Sequence, residues 1–149
     1  TGTGIMVGSP GQTLDHLVED ICFIRRFQPQ MIGIGPFIPQ HDTPFRDCRP
    51  GSADLTLRLL SIFRLMFPSV LIPATTALST LLSDGKARGI LAGANVVMPN
   101  LSPAAYRSSY ALYDNKAAMG TEAAEGLTLL KQELDKIGYR ISTARGDFK

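Results

Sequence analysis

Four apolar segments of the chain end in residues that bend the backbone or carry hydroxyl groups. These ends are Gly8-Ser9-Pro10-Gly11, Gly35-Pro36-Phe37, Thr75-Thr76 and Met98-Pro99-Asn100. Glycine allows close approach to the backbone, and proline fixes the path of a chain that leaves a strand. The two threonine hydroxyls can donate hydrogen bonds to a small anion or carboxylate, although β-branched residues that fill a strand explain them equally well. We therefore expect a ligand site where these segments end.

Other candidate groups carry weaker indications of chemistry. The sequence GSPGQT precedes a predicted helix, but it lacks the Lys-Ser/Thr pair of a phosphate-binding loop, which favours a tight turn. His41 and Asp42 are adjacent in a polar loop, where His41 is available for acid–base work. His16 lies in the first turn of a predicted helix and is expected to face solvent. No three ligands have the spacing of a metal centre, so we predict no metal site in this chain.

The tyrosines and cysteines can be interpreted as structural or as functional residues. Tyr106, Tyr110 and Tyr113 share one face of a predicted helix, either as half-buried packing or as phenols that line a pocket. Cys22 lies in an apolar helical stripe and is predicted to be a core residue. Cys48 lies between Arg46 and Arg49 in sequence, which lower a thiol pKa when they are close, although an incidental loop thiol is the simpler interpretation.

The composition favours an ordinary globular domain. The chain has 149 residues, a net charge of +2 and two cysteines. No basic run exceeds two residues, which argues against a nucleic-acid partner. The apolar runs fall well short of the roughly 20 residues of a membrane span, and the Thr-Gly-Thr-Gly start has no signal-peptide pattern. We expect no membrane association and a reducing, cytoplasmic location.

Hydrophobic periodicity alternates along the chain between strand-like and helix-like segments. Strands are predicted over 4–8, 31–38, 70–78 and 95–99, and helices over 13–27, 53–67, 81–91, 102–113 and 121–137. Thr13 is a suitable N-cap for the first helix, and Gly138 is a suitable C-cap for the last. Strands separated by helices form parallel sheets with right-handed crossovers, so the fold class is α/β. The carboxyl ends of such strands form one ligand-binding edge.

Four motifs, taken in order, resemble one enzyme family. GIMVGSPGQT, MIGIGPFIPQHDTP, IPATTAL and GANVVMPNLSPAAYRSSYALY look like the C-terminal half of the radical S-adenosylmethionine maturases of FeFe hydrogenase. Those enzymes are relatives of biotin synthase and methylornithine synthase. The likeness covers about residues 1–116, whereas residues 117–149 match only loosely.

The resemblance implies a TIM-type (β/α)8 barrel, of which residues 1–116 form strands five to eight. Residues 117–149 then form a C-terminal helical extension. A half barrel leaves two open sheet edges and an uncovered apolar face, which we expect to include Met6, Ile34 and Val97. The isolated chain is therefore expected to self-associate.

The resemblance also assigns roles to individual residues. It places Gly4, Met6 and Gly8 beside the adenosyl group, and Phe37 and Ile38 against the adenine. The residues that it places around the substrate cavity are Met31, Thr75, Thr76, Met98, Tyr110 and Tyr113. The two tyrosines lie near the radical site in this interpretation, and no residue is assigned a certain catalytic role.

The family's cofactors are S-adenosylmethionine and a [4Fe–4S] cluster, which a CxxxCxxC motif holds. That motif is absent from this sequence. The expected function is part of an enzyme for H-cluster maturation, with an organometallic or other small-molecule substrate and other maturation proteins as partners. We expect this chain to be inactive alone. The alternatives are part of a biotin synthase-like enzyme, or a stand-alone binding or interaction module.

Overall fold

Strands and helices alternate through the first 97 residues of the computed structural model, which describes residues 1–99 and 123–148. The strands are β1 (Gly2–Val7), β2 (Met31–Pro36), β3 (Pro73–Ala74) and β4 (Val96–Val97). The helices are α1 (Leu14–Phe27), α2 (Ala53–Met66), α3 (Thr76–Leu81), α4 (Gly85–Leu91) and α5 (Ala123–Lys136). No helix within these described residues has the length and apolar character needed to cross a membrane. The helix predicted over 102–113, with Tyr110 and Tyr113, lies outside the described residues.

The strands are parallel and neighbour one another in chain order. β1 pairs with β2, and β3 pairs with β4. A parallel bridge between Met31 and Leu71 joins the two pairs, because the Ile32 amide donates to Leu71 at 2.9 Å. The prediction of an α/β fold with parallel strands is confirmed.

The core lies between one face of β1–β2 and the helices. Ile5 of β1 and Ile34 of β2 are paired in register, and both are buried. The core residues that the described helices contribute are Leu17 and Ile24 of α1, Leu59, Leu60 and Phe63 of α2, Leu78 of α3, Ile90 of α4, and Leu130 and Leu134 of α5. Helix α5 therefore shares the core of the strand–helix units, since its two buried leucines belong to the same apolar cluster.

The ends of α1 and α5 follow the capping rules. Thr13 accepts a hydrogen bond from the His16 amide at 3.3 Å, and the His16 ring accepts one from the Thr13 amide at 3.1 Å. This reciprocal pair satisfies two amide groups that the first turn leaves free. Gly138 follows α5 with a φ of +79°, as its predicted C-cap position requires. His16 is exposed, as predicted.

The third strand and the third helix were predicted wrongly. The strand predicted over 70–78 is only Pro73–Ala74, and Thr76 begins α3. Its partner β4 extends over two residues, and within residues 1–99 and 123–148 the β3–β4 ladder ends at Ala74. The helix predicted over 81–91 is replaced by α3 and α4. They pack so closely at Gly85 that a Cβ there would overlap the Leu78 carbonyl.

Two burial predictions were also wrong. Ile34 was expected on the uncovered apolar face, but it lies under the helices and is 1 % exposed. The strand alternates, so Gly33 and Gly35 take the uncovered face instead. Cys22 was expected in the core, but it is exposed because Leu17 and Ile24 occupy the covered stripe of α1.

Arg64 connects α2 to the segment before β4, and Asn95 connects that segment to the one before β3. The Arg64 guanidinium donates to the carbonyls of Gly93 at 2.8 Å and Pro68 at 2.7 Å. Burial lowers the pKa of Arg64 from its ordinary value. The Asn95 side chain accepts from the Ile72 amide at 2.8 Å and donates to Val70 at 3.3 Å. The Asn95 hydrogen bonds thus hold together the two segments that lead into β3 and β4.

Candidate functional site

A cleft of about 430 Å³ opens where β1 and β2 end and where the chain leaves β3. It is lined by Ile5 and Met6 of β1, Gly35 and Pro36 of β2, Phe37, Ile38, Gln40, Thr43 and Phe45 of the following loop, and Thr75 and Ala77. None of these lining residues carries a charge. The cleft therefore suits a ligand group that is neutral and largely apolar, with few hydrogen-bonding positions.

The two strands β1 and β2 that reach the cleft carry mostly glycine on their uncovered side. We call this side the open face, and its residues are Gly2, Gly4 and Met6 of β1 and Met31, Gly33 and Gly35 of β2. Gly4 pairs with Gly33, and Met6 pairs with Gly35. A Cβ at Gly4 would overlap the Gly33 carbonyl, so glycine is needed for the two backbones to lie this close. The open face is a shallow floor that leaves room above the sheet.

The loop after β2 returns to the strand ends and is fixed there by backbone contacts. This β2–α2 loop comprises residues 37–52. The Phe37 amide donates to Val7 and the Gly51 amide donates to Phe37, each at 2.8 Å. Gly8 has a φ of +81°, and a Cβ there would lie 2.5 Å from the Cα of Gly51. Two glycines thus permit the loop to close against the end of β1, which gives the cleft its loop-side wall.

Thr75 supplies a polar atom without a partner at this cleft. Its hydroxyl oxygen is buried and has no hydrogen bond within the described structure. Thr75 occupies the N-cap position of α3, yet its side chain makes no capping hydrogen bond. A Cβ at Gly35 would lie 2.9 Å from this oxygen, so the absence of a side chain at Gly35 gives the hydroxyl its space. A buried hydroxyl without a partner costs free energy, which a ligand acceptor or donor would offset.

The cleft gathers some of the predicted site residues and leaves others apart. Met6, Phe37, Ile38 and Thr75 are among its lining residues. The predicted residues that are not among them are Gly4, Gly8, Met31, Thr76 and Met98. Gly4 and Met31 lie on the open face next to the cleft. Tyr110 and Tyr113 lie outside the described residues.

The positions of Thr76 and Met98 explain why they are not among the lining residues. Thr76 is the first residue of α3, and its carbonyl accepts from Thr80 at 3.1 Å. Met98 follows β4 and is 59 % exposed. In a regular strand through residue 78, the two threonine side chains would point to opposite faces of the sheet. Because α3 begins at Thr76, Thr75 lines the cleft and Thr76 is not among the lining residues.

Sequence reasoning missed Gly35 and Phe45 as individual lining residues. Gly35 was noticed as part of a strand end, and the alternation from Gly33 is a signal that would have placed it on the open face. Phe45 lies in the polar part of the loop that begins at Phe37, with its ring 6.3 Å from that of Phe37 in an edge-to-face arrangement. No local pattern predicts that contact.

The remaining candidates do not join the cleft. His41 lies 3.1 Å from Asp42, and both side chains are exposed. Within residues 1–99 and 123–148, no group of three potential metal ligands is found. In the GSPGQT turn, the Gln12 side chain accepts from the Gly8 amide at 2.6 Å and donates to Met6 at 3.1 Å. The turn thus satisfies its own backbone, as a tight strand-to-helix connection does.

Comparison with known proteins gives sequence relatives but no match to a family model. The chain is 47 % identical over 116 residues to the FeFe hydrogenase maturase subunit HydE of Thermotoga maritima, which is 78 % of this chain and 33 % of that protein. It is 33 % identical over 111 residues to 3-methylornithine synthase of Methanosarcina barkeri, which is 74 % of this chain and 31 % of that enzyme. The corresponding enzyme of Methanosarcina acetivorans is 31 % identical over the same length. The chain spans about a third of the length of these relatives.

These matches confirm the resemblance that the four motifs indicated. Over the matched residues, the chain is similar to radical S-adenosylmethionine enzymes. Within that class, the higher identity is to the FeFe hydrogenase maturase.

Proposed function

We propose that this chain forms part of the active-site barrel of a radical S-adenosylmethionine enzyme that matures FeFe hydrogenase. The observation that carries the proposal is the uncharged cleft at the carboxyl ends of parallel strands, with the unpartnered Thr75 hydroxyl in its wall. The order of the strands agrees with strands five to eight of a (β/α)8 barrel, in which this edge binds ligands. The open face would then line the interior, and residues outside this chain would complete the barrel.

The adenosyl group of S-adenosylmethionine is the ligand that we assign to the cleft. Phe37 and Ile38 offer apolar surface to an adenine ring, and Thr75 offers a hydroxyl to one of its polar atoms or to the ribose. The nearby Met6 adds apolar contact. Since none of the lining residues within the described ranges is charged, these residues offer an anionic substrate hydrogen bonds alone. This favours the neutral nucleoside over an anion as the occupant.

The [4Fe–4S] cluster does not fit the residues of this chain. Such a cluster needs three cysteine ligands in this family's motif, and the chain has only Cys22 and Cys48. Cys22 lies on the exposed side of α1, and Cys48 lies in the β2–α2 loop. We therefore assign the cluster, and with it the reductive cleavage of S-adenosylmethionine, to residues outside this chain. The chain alone is expected to bind the nucleoside without catalysing that cleavage.

Two alternatives differ in what else the chain would need. A stand-alone binding module is favoured because the chain has two cysteines and a cluster needs three. Such a module needs no further residues. A biotin synthase-like enzyme needs a cluster and a different substrate. The relatives found here carry the names of a hydrogenase maturase and 3-methylornithine synthase, so we place maturation first. Activation of apo-hydrogenase by the parent enzyme, with other maturation proteins present, would separate the maturase from both alternatives.

Titration of the labelled chain with 5′-deoxyadenosine, followed by NMR, tests the nucleoside assignment. We expect shift changes at Met6, Phe37 and Thr75. Gly35→Ala should weaken binding about tenfold, equivalent to about 1.4 kcal/mol, because the new Cβ displaces the Thr75 hydroxyl. Gly33→Ala is the matched control, since its Cβ would meet nothing closer than 3.9 Å. Absence of shift changes at millimolar ligand would refute the assignment.

A further inference from the structure

Phe45 lines the cleft and lies in a loop that is held by its own hydrogen bonds. Inside the β2–α2 loop, successive turns are closed by backbone hydrogen bonds. Thr43 donates to Gln40 at 3.1 Å, and Cys48 donates to Phe45 at 3.0 Å. The Thr43 hydroxyl adds a bond of 2.8 Å to the Gln40 carbonyl. The loop therefore positions Phe45 through its own hydrogen bonds and through its neck at Phe37 and Gly51.

The surroundings of Phe45 are those of a ring that is only half covered. It is 49 % exposed, although it contacts Phe37 edge-to-face with an angle of 86° between the rings. Phe37 itself is 8 % exposed. Phe45 and Thr75 are both among the residues that line the cleft. A flat group that enters the cleft would cover apolar area on Phe45 and reach a polar partner on Thr75.

We propose that Phe45 is a positioning residue that packs against a planar, neutral heteroaromatic group bound in the cleft. The inference deepens the proposed function and rests on it, since the purine of an adenosyl compound is such a group. Burial of an aromatic face and stacking on a base both favour this arrangement. The uncharged lining agrees with a neutral ring, and the Thr75 hydroxyl would fix the ring's orientation.

A phenylalanine pair on α1 provides a matched control. Phe23 and Phe27 of α1 stack at 5.4 Å with their rings 14° from parallel, and Phe23 is 47 % exposed. Neither residue is among those lining the cleft. Loss of either exposed ring removes a similar apolar area, but only Phe45 lies where the ligand would contact it.

The test compares binding of 5′-deoxyadenosine to the full chain and to three variants by NMR titration. Phe45→Ala should weaken binding about tenfold, within the range that stacking of a base on an aromatic residue gives. Phe45→Tyr should restore binding to within about twofold because the ring is kept. Phe23→Ala should leave the affinity unchanged. Circular dichroism identifies any variant that fails to fold. If Phe45→Ala fails to fold, the affinity of Phe45→Tyr is compared with that of the unaltered chain.

The outcomes separate the two proposals. If 5′-deoxyadenosine binds the unaltered chain and Phe45→Ala with equal affinity, the role of Phe45 is overturned and the nucleoside assignment stands. Equal weakening by Phe23→Ala would also overturn it, because the effect would then be general to loss of an exposed ring. No binding to the unaltered chain would overturn the proposed function itself, and with it the inference.

Discussion

The two faces of the β1–β2 pair have opposite designs. On the covered face, Ile5 and Ile34 are paired, buried and surrounded by helices. On the open face, Gly4 and Gly33 are paired one position earlier, without side chains. On the covered face, the isoleucine side chains fill the core and stabilise the fold. On the open face, the glycines have no side chains, which leaves space above the sheet. The comparison shows why glycines occur within a strand whose other residues are typical of a core.

The largest expected effect contrasts a side chain from each face. Ile34→Ala should lower the free energy of unfolding by about 3 kcal/mol, because it leaves a cavity under the helices. Met6→Ala should change it by less than about 0.5 kcal/mol, since Met6 is 58 % exposed. Urea denaturation followed by circular dichroism measures both.

Met6→Ala also tests the expected self-association. If two copies cover each other's open face, the cost of Met6→Ala should rise with protein concentration. Light scattering on the unaltered chain should then show more than one copy per particle. A monodisperse monomer, with no concentration dependence for Met6→Ala, would contradict self-association through this face.

A smaller effect is expected within the open face, between Gly4 and Gly33. Gly4→Ala should destabilise the chain by about 2 kcal/mol, because the new Cβ would overlap the Gly33 carbonyl. Gly33→Ala has space and should be neutral, or stabilising by up to about 1 kcal/mol through lower entropy of the unfolded chain. Thermal unfolding of the two variants is the measurement. Equal costs would show that the register at this pair is wrong.

The smallest expected effect concerns Thr75. Thr75→Val should raise the free energy of unfolding by about 1 kcal/mol, because it removes a buried hydroxyl that has no partner. Thr56→Val is the control and should lower it by a similar amount. Thr56 is fully buried, and its hydroxyl donates to Ser52 at 2.8 Å. Destabilisation by Thr75→Val in urea denaturation would indicate a hydrogen bond at Thr75.

Most of the first half of the fold was predictable from the sequence, whereas the second half was not. Around β1, α1, β2 and α2, the hydrophobic periodicity and the Thr13 cap agree with the structure to within a few residues. Around Thr76 and Gly85, short apolar runs suit a strand or a helix equally well. The strand that pairs with β4 is only two residues long. The residues around Thr76 do not by themselves indicate how long a partner strand is.

The candidate site divides in the same way. By itself, the sequence determined that glycine and proline lie at the strand ends and that Phe37 and Ile38 lie at the carboxyl end of β2, because these signals are local. Only the tertiary structure decided that Gly35, Phe45 and Thr75 meet around one cleft. Their meeting depends on the loop's return through Gly51 and on the crossover through α2, which join residues far apart in the chain. The unpartnered hydroxyl of Thr75 is a consequence of that assembly, so no pattern of neighbouring residues predicts it.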